Sequence, residues 1–419
     1  MGVKKNKSVQ ENSDSGLSYV HSVGKNPLVY RTIGQQLKLS AQANAQREAF
    51  VFVEENKRFT YEQLLSEADR LAAGFQCLGL DKGDRVGILM PNVSAWPITM
   101  FAAARAGLIS VSLNPTYTPQ EIQDCLNKVS AKALVASEKF GSKIYYDQLL
   151  EILPELSSCN SKKVQSKRLP FLSTIIIDSE KDYPGTVRLR DVMSLATIHQ
   201  INKIESEQGD ISPDSGCNIQ MTSGFTGPPK AVLLSHNCLV NNCHNVTMGI
   251  SECAFIFASL PDDEDEKIID TVGYVFSHLE AKVIDNEGKI IPFSTPGELC
   301  IRGYSTMMGY WGDEEQTRNI LGSDGWLKTG DYFILEPNGY GKIIGRISDI
   351  ITKGSEKIFP KEIESLLGTF PAIEEAYVVG VPDEHWGEEL NGICEKLLRI
   401  SSENPTVCIS LNPMECRES

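Results

Sequence analysis

The chain has 419 residues, of which 41% are apolar and 8% aromatic, and its formal net charge is −15. This length exceeds the usual size of one domain, so two or three domains are expected. The negative charge argues against nucleic acid as a partner, because no basic stripe offsets it. The 11 cysteines contain no CxxC pair and none pairs with the six histidines at metal-ligand spacing, which indicates free thiols in a reducing compartment.

Residues 1–18 are predicted to be a disordered tail, because this segment is polar and carries no apolar run. The first 16 residues hold Glu11 and Asp14 but no arginine, so no transit peptide is visible and a cytoplasmic location is expected. Residues 95–113 are apolar, but Pro97 and Arg105 interrupt them. A buried helix followed by a strand is favoured there over a transmembrane segment.

Helices and strands alternate through the first half of the chain. A capping box at Thr60 and Gln63 begins one helix, and a second at Thr118 and Glu121 begins another with proline in its first position. A further helix is expected at about 94–106. Short apolar runs suited to strands buried on both faces lie at 85–90, 108–113 and 132–136. This βαβα order predicts a doubly wound parallel sheet in an N-terminal α/β domain at 19–250.

The pattern changes after residue 250. From 281 to 346 short alternating runs are broken by turn residues, which predicts a β-rich subdomain at 251–346. A strand ending near Thr352 and an amphipathic helix at 361–367 then predict a small α+β domain at 347–390. The last 29 residues, 391–419, form a divergent tail.

The stretch 221–237, MTSGFTGPPKAVLLSHN, is the most informative segment. Small hydroxyl residues between glycines let a backbone approach a phosphate closely, and the hydroxyls and a lysine bind its oxygens. Clusters of Ser, Thr, Gly and Pro are also common in plain turns, so the loop needs support from elsewhere in the chain. His236 follows the loop and is interpreted as a polar residue near a helix start, without a catalytic role.

Four further motifs follow in order: GELCIRG at 297–303, MGYWG at 308–312, GWLKTGD at 325–331 and GYGKIIGRISDIITKGSEKIFPKEIE at 339–364. Together with the loop they resemble the adenylate-forming (AMP-binding) superfamily. Within it the chain is most similar to the acyl-CoA synthetases that activate medium-chain fatty acids, which share an opening like that at 19–36. The resemblance covers about 19–390.

The resemblance implies an activity and a set of site residues. The family ligates a carboxylate to coenzyme A through an acyl-adenylate, with ATP and Mg²⁺, and releases AMP. Asp331 would accept hydrogen bonds from the ribose hydroxyls, and Arg346 would reach the ribose and phosphates. Taken alone, these two would be a turn residue and a surface cation. The residues that would hold the β- and γ-phosphates are Thr222, Ser223, Gly224, Thr226, Gly227 and Lys230.

Five positions depart from the family pattern. Phe225 stands where the family has threonine, Ala231 where it has glycine, and Ser348 where its hinge usually has Asp or Lys. Further on, Ser355 and Lys357 replace a common glycine and asparagine. Replacing threonine by phenylalanine removes one hydroxyl that could donate to a charged phosphate, which weakens nucleotide binding by about 1.5–3 kcal/mol.

Two family segments are missing. Only 238–270 joins the loop to the β-rich part, which is too short for the second half-sheet and the acyl pocket. Glu252 would be the surviving magnesium-binding glutamate of that segment, or else an ordinary loop acid. The family's C-terminal catalytic lysine has no counterpart before residue 419. The expectation is therefore a ligase by ancestry with weak or no activity. The alternative is a chain that binds nucleotide weakly or associates with a full-length relative, and the resemblance leaves a mitochondrial location open.

Overall fold

The structure is a computed structural model that describes residues 9–11, 16–24, 26–159, 163–222, 229–243, 250–253, 256–259, 271–354, 356–370, 373, 375–383, 385–395 and 406–410. The chain divides into two compact units. One, the α/β unit, comprises Asn26–Phe255 and Tyr304–Leu321. The other, the β-rich unit, comprises Met1–Lys25, Ile256–Gly303 and Gly322–Ser419. The domain boundaries drawn from the sequence stay predictions.

The α/β unit is built on an eight-stranded sheet. Its first six strands pair in parallel and the last two pairings are antiparallel. The fold class predicted from the βαβα order is therefore confirmed. The strands in spatial order are Val187–Arg188, Thr174–Asp178, Ala133–Ser137, Arg85–Leu89, Ile109–Ser112, Gly216–Met221, Ala231–Ser235 and Gly309–Tyr310.

Both predicted capping boxes are present. The hydroxyl of Thr60 accepts from the Gln63 N–H while the Gln63 side chain accepts from the Thr60 N–H, and Thr118 and Glu121 repeat the arrangement. The expected helix at 94–106 is found at Ala95–Ala106. The α-helices of this unit are Ile33–Asn44, Tyr61–Cys77, Ala95–Ala106, Pro119–Lys128, Tyr145–Ile152, Leu189–Ser194, Ile198–Ser206, His236–Asn242 and Glu314–Ile320. Short 3₁₀ helices lie at Pro154–Ser158 and Glu207–Asp210.

Each central strand sends alternate side chains to opposite faces of this sheet. Val86 and Ile88 join one apolar cluster with Phe75, whereas Leu89 joins the other. Val135 and Leu134 divide in the same way. Strands buried on both faces have to be apolar throughout, which explains why these runs show no polar alternation.

The β-rich unit contains a six-stranded antiparallel sheet. Its first strand, Val9–Glu11, pairs with Tyr19–Ser22, so the predicted disordered tail is wrong at these three residues. An open sheet edge offers backbone groups that a polar segment can satisfy without burying side chains. The strands in order are Val9–Glu11, Tyr19–Ser22, Leu279–Ile284, Gly297–Gly303, Leu327–Leu335 and Gly341–Arg346.

A second, smaller sheet and one helix follow in the same unit. The predicted strand and helix are found at Ile351–Lys353 and Pro360–Leu367. The other strands of this antiparallel sheet are Glu356–Ile358, Glu375–Asp383, Gly387–Glu395 and Thr406–Ser410. Two-stranded pairs elsewhere in the chain are Glu48–Phe52 with Lys57–Thr60, Lys139–Phe140 with Lys143–Ile144, and Phe257–Ala258 with Tyr274–Val275. Within the described ranges, no helix has the length and apolar character needed to cross a membrane.

Candidate functional site

Asp331 and Arg346 face each other on neighbouring strands of the β-rich unit. They are direct partners in the antiparallel pairing of Leu327–Leu335 with Gly341–Arg346. Arg346 Nε lies 2.9 Å from Asp331 Oδ1, and Arg346 Nη1 donates to the Thr329 carbonyl at 2.9 Å. The structure thus brings together the two residues to which the sequence assigned the ribose, although they are 15 positions apart in the chain.

The surroundings of this pair differ at its two ends. Asp331 is 5% exposed, whereas the side chain of Arg346 is 46% exposed. The backbone N–H of Asp331 donates to the Thr329 hydroxyl at 3.1 Å, and that hydroxyl donates to the Leu299 carbonyl at 3.1 Å. Gly330 lies between them with a φ of +73°, a conformation that favours glycine. A shielded carboxylate next to a partly open guanidinium can accept hydrogen bonds from hydroxyls and attract an anion.

The predicted phosphate loop closes a hairpin in the α/β unit. It joins strands Gly216–Met221 and Ala231–Ser235, which pair antiparallel with Met221 opposite Ala231. At its base the Thr222 N–H donates to the Lys230 carbonyl at 2.9 Å, and the Lys230 N–H donates to the Thr222 hydroxyl at 3.2 Å. Both residues are partly exposed. The remaining phosphate candidates lie outside the described residues: Ser223, Gly224, Thr226 and Gly227.

Tyr310 connects two of the predicted site residues. The Lys230 ammonium lies over its ring, 5.0 Å from the ring centroid, and its hydroxyl donates to Glu252 Oε1 at 2.8 Å. Burial, followed by the nearby Glu252 carboxylate, raises the pKa of Tyr310, so the phenol stays protonated at neutral pH and remains a donor. Sequence reasoning gave Tyr310 no role, although the MGYWG motif contained it.

Glu252 is the candidate magnesium ligand. Its side chain is partly exposed, and its backbone carbonyl accepts from the Met307 N–H at 2.8 Å. Across the described parts of the chain, no three His, Cys, Asp or Glu residues cluster as a metal-binding group. A single carboxylate still suits Mg²⁺ in nucleotide enzymes, where substrate phosphates and water supply the remaining ligands.

The hinge candidate and the histidine occupy different surroundings. Ser348 is exposed in the 3₁₀ turn Ile347–Asp349, and its hydroxyl donates to Asp349 Oδ1 at 2.8 Å. His236 begins the helix His236–Asn242 and is 1% exposed, and its Nδ1 accepts from the Ile33 N–H at 3.3 Å. Burial lowers the pKa of His236 to about 4. These observations agree with a structural polar residue at a helix start.

Two protein-family models match this chain. The model of the AMP-binding enzyme family matches residues 37–249 and 245–311, and that of the AMP-binding enzyme C-terminal domain matches 362–395. The chain belongs to the AMP-binding enzyme family. The C-terminal match extends to residue 395.

Similar proteins include mitochondrial medium-chain acyl-CoA ligases. The one from Danio rerio, ACSF2, is 32% identical over 492 aligned positions that cover 89% of this chain and 81% of the relative. The one from Homo sapiens is 31% identical, with 94% and 83% covered. The 492 positions exceed the 419 residues of this chain by 73, so at least that many residues of the relative have no counterpart here. The two AMP-binding matches overlap at 245–249, inside the segment 238–270 that is predicted to be shortened.

Solved structures with the same fold are adenylate-forming enzymes. The anthranilate CoA ligase AuaEII in complex with anthranoyl-AMP has a TM-score of 0.75 at 19% identity, covering 90% of this chain and 89% of that one. ATP-bound MatB from Rhodopseudomonas palustris has a TM-score of 0.72 at 18% identity, covering 90% of each. At this identity the likeness establishes the fold.

Proposed function

We propose that this chain is an ATP-dependent, AMP-forming acyl-CoA ligase acting on a medium-chain fatty acid. A fatty-acid carboxylate oxygen attacks the α-phosphorus of ATP, the bond to pyrophosphate breaks, and an acyl-adenylate forms. The thiolate of coenzyme A then attacks the acyl carbon and AMP leaves. The observation that carries the proposal is the Asp331–Arg346 pair, formed by the KTGD and GR motifs in a chain 32% identical to a medium-chain acyl-CoA ligase.

The roles of the chain's residues are proposed from the family motifs, and the contacts of the described residues support them. Asp331 accepts hydrogen bonds from the ribose hydroxyls while it pairs with Arg346 on the neighbouring strand. Arg346 binds the phosphate through the exposed part of its guanidinium. Lys230 and the Thr222 hydroxyl bind the β- and γ-phosphates, together with Ser223, Gly224, Thr226 and Gly227. In phosphoryl-type transfers such positioning and neutralisation of charge provide most of the catalysis.

Glu252 is proposed to hold Mg²⁺ through its carboxylate. When bound, the ion neutralises phosphate charge that Lys230 alone cannot balance. Ser348 is proposed as the hinge between the strand Gly341–Arg346 and the small sheet. It lies in an exposed turn, and its hydroxyl donates to the carboxylate of the adjacent Asp349.

A second candidate is a chain that binds nucleotide without ligating an acid. The observation that favours it is the set of at least 73 residues of the Danio rerio relative with no counterpart here. The family resemblance implies that the segment shortened here at 238–270 builds much of the acyl pocket. Binding energy from the acyl chain positions the carboxylate, so a reduced pocket lowers the rate of the first step.

Pyrophosphate release with octanoate, ATP and Mg²⁺ tests both candidates, with calorimetric binding of millimolar AMP measured beside it. We expect AMP to bind and pyrophosphate to appear more slowly than about one per second, the low end of ordinary enzyme rates. Asp331→Ala is expected to abolish the binding heat and the release, while Glu287→Ala, an exposed loop acid of the same unit, keeps both.

The outcomes separate the candidates. AMP binding without pyrophosphate release supports the nucleotide-binding chain over the ligase. Release at one per second or faster contradicts the reduced rate. Equal AMP binding by Asp331→Ala means that the ribose assignment is wrong, and no binding by the unmodified protein contradicts both functions.

We also propose a mitochondrial location, on the names of the similar medium-chain ligases. Fractionation of cells that express the tagged full chain tests it. Recovery with cytosolic markers alone would support the location expected from the polar N-terminal segment.

A further inference from the structure

Tyr310 is fixed by its backbone beside the phosphate loop. It lies on the strand Gly309–Tyr310, the last of the eight-stranded sheet, opposite Val232. The Trp311 N–H donates to the Ala231 carbonyl at 2.8 Å, and the Met308 N–H donates to the Leu233 carbonyl at 2.9 Å. Hydrogen bonds on both sides thus hold this short strand to the strand that begins directly after Lys230.

A second set of contacts supports Tyr310 from the helix Glu314–Ile320. The Tyr310 N–H donates to the Thr317 hydroxyl at 2.9 Å, and that hydroxyl donates to the Asp313 carbonyl at 2.7 Å. Gly309 has a φ of +149°, and a side chain there would lie 3.0 Å from Thr317. Tyr310 is 6% exposed in this closely packed turn, and such packing limits the conformations open to its side chain.

The side chain then contacts two opposite charges. Its ring attracts the Lys230 ammonium, 5.0 Å from the centroid, and its hydroxyl donates to the Glu252 carboxylate at 2.8 Å. A flexible lysine loses side-chain freedom when it binds a phosphate, and a contact that orders it beforehand reduces this loss. A hydrogen bond to a carboxylate fixes its direction in the same way.

We propose that Tyr310 is a positioning residue that holds Lys230 and Glu252 ready for the metal-bound triphosphate. This role rests on the proposed function, in which Lys230 contacts the phosphates and Glu252 the magnesium ion. In this role Tyr310 acts through the side chains of Lys230 and Glu252. Its ring and its hydroxyl serve different partners, so two substitutions separate the two effects.

The first experiment needs no nucleotide. An amine-acylating reagent is applied to the free protein, and the labelling rate of Lys230 is read by mass spectrometry. Tyr310→Leu removes the ring, and we expect Lys230 to label about three- to tenfold faster, in line with the strength of a cation–π contact. Tyr310→Phe keeps the ring and is expected to label within about twofold of the unmodified rate. Tyr145→Phe is the matched control, since that buried tyrosine donates to the Pro115 carbonyl, away from Lys230 and Glu252 in the sequence.

The second experiment measures ATP binding by calorimetry with and without Mg²⁺. Tyr310→Phe leaves Glu252 without its phenol donor, so we expect the gain in affinity given by Mg²⁺ to fall about tenfold. Metal-free ATP affinity is expected to fall about three- to tenfold in Tyr310→Leu and by no more than about twofold in Tyr310→Phe. Tyr145→Phe is expected to keep the unmodified values, which a general loss of packing would not allow.

Three results decide the proposal. A folded Tyr310→Leu protein whose Lys230 labels at the unmodified rate overturns the role of the ring. If that variant does not fold, Tyr310→Phe still tests the role of the hydroxyl. A gain in ATP affinity on adding Mg²⁺ that is unchanged in Tyr310→Phe overturns that role. If the unmodified protein does not bind ATP at all, the proposed function fails, while the labelling rates still show whether Tyr310 orders Lys230.

Discussion

Two arginine–aspartate pairs in this chain have the same chemistry and different surroundings. The side chain of Arg105 is 0% exposed, and it contacts both oxygens of Asp69, at 2.5 and 3.0 Å, and Glu205 at 2.8 Å. The side chain of Arg346 is 46% exposed and contacts one oxygen of Asp331 and the Thr329 carbonyl. The first pair is enclosed by its own unit, and the second leaves part of its cation open to a ligand.

The burial of the arginine side chain, and not the residue types of the pair, therefore separates a structural ion pair from a candidate site. A buried arginine has to be paired, because desolvating an unpaired charge is very unfavourable. Arg105 therefore has its donors committed to neighbouring residues. The Asp331 carboxylate is also buried, but the side chain of Arg346 keeps 46% of its surface exposed, which is compatible with the phosphate contact proposed for it.

The largest expected effect is the loss of stability in Arg105→Ala. Removing the arginine leaves the carboxylate of Asp69 buried without its partner, and breaking such a pair destabilises a protein by about 3–5 kcal/mol. Urea denaturation followed by circular dichroism measures the change. Arg58→Ala is the control, because the exposed pair of Arg58 with Glu48 is expected to contribute less than about 1 kcal/mol. Equal losses in the two variants would contradict the comparison.

The next effect is the pH dependence caused by His236. Its pKa is about 4 in the folded chain and 6.5 in the reference state, so below pH 6.5 only the unfolded chain takes up the proton. Stability is complete above pH 6.5 and falls toward pH 4, by about 3 kcal/mol over that interval. Urea midpoints across this range measure it.

Two variants test the assignment of this slope. His236→Asn is expected to reduce the slope of the free energy of unfolding against pH by about 1.4 kcal/mol per pH unit, whatever its effect on absolute stability. His199→Asn, on an exposed helix surface, is expected to keep the slope of the unmodified protein. A slope that survives in His236→Asn would assign it to other groups.

The smallest effect on stability is expected for Arg346→Ala. Nearly half of its side chain already faces solvent, although the Asp331 carboxylate beside it is buried, so the loss is expected to be smaller than that of Arg105→Ala. AMP affinity is expected to fall about tenfold as a charged contact disappears. Calorimetry with AMP and urea denaturation of the same preparation measure both. A large loss of stability with unchanged AMP affinity would make Arg346 a structural residue like Arg105.

The parallel sheet could be predicted because its signals are local. Thr60 and Thr118 form capping boxes with residues three positions away, and the buried strands are short apolar runs. Asp331 and Arg346, which the sequence assigned to one predicted site, do lie together on adjacent strands, whereas their ribose role stays a prediction. The signals missed were long-range. Nothing near Tyr310 indicates that it pairs with a strand about 80 positions earlier, and nothing near Val9–Glu11 indicates an available sheet edge.

Spacing and residue type in the sequence were enough to assign the family and the class of fold, and they predicted which residues form the loop and ribose motifs. These depend on spacing and residue type, which a chain displays without folding. Which charged side chains are buried and which remain exposed to solvent depends on the tertiary structure alone. Arg105 looked like an interruption in an apolar segment, yet it is the centre of a buried ion cluster. Tyr310 looked like part of a motif, yet it lies between Lys230 and Glu252. Burial and cross-chain contacts arise from packing between distant segments, and no local pattern encodes them.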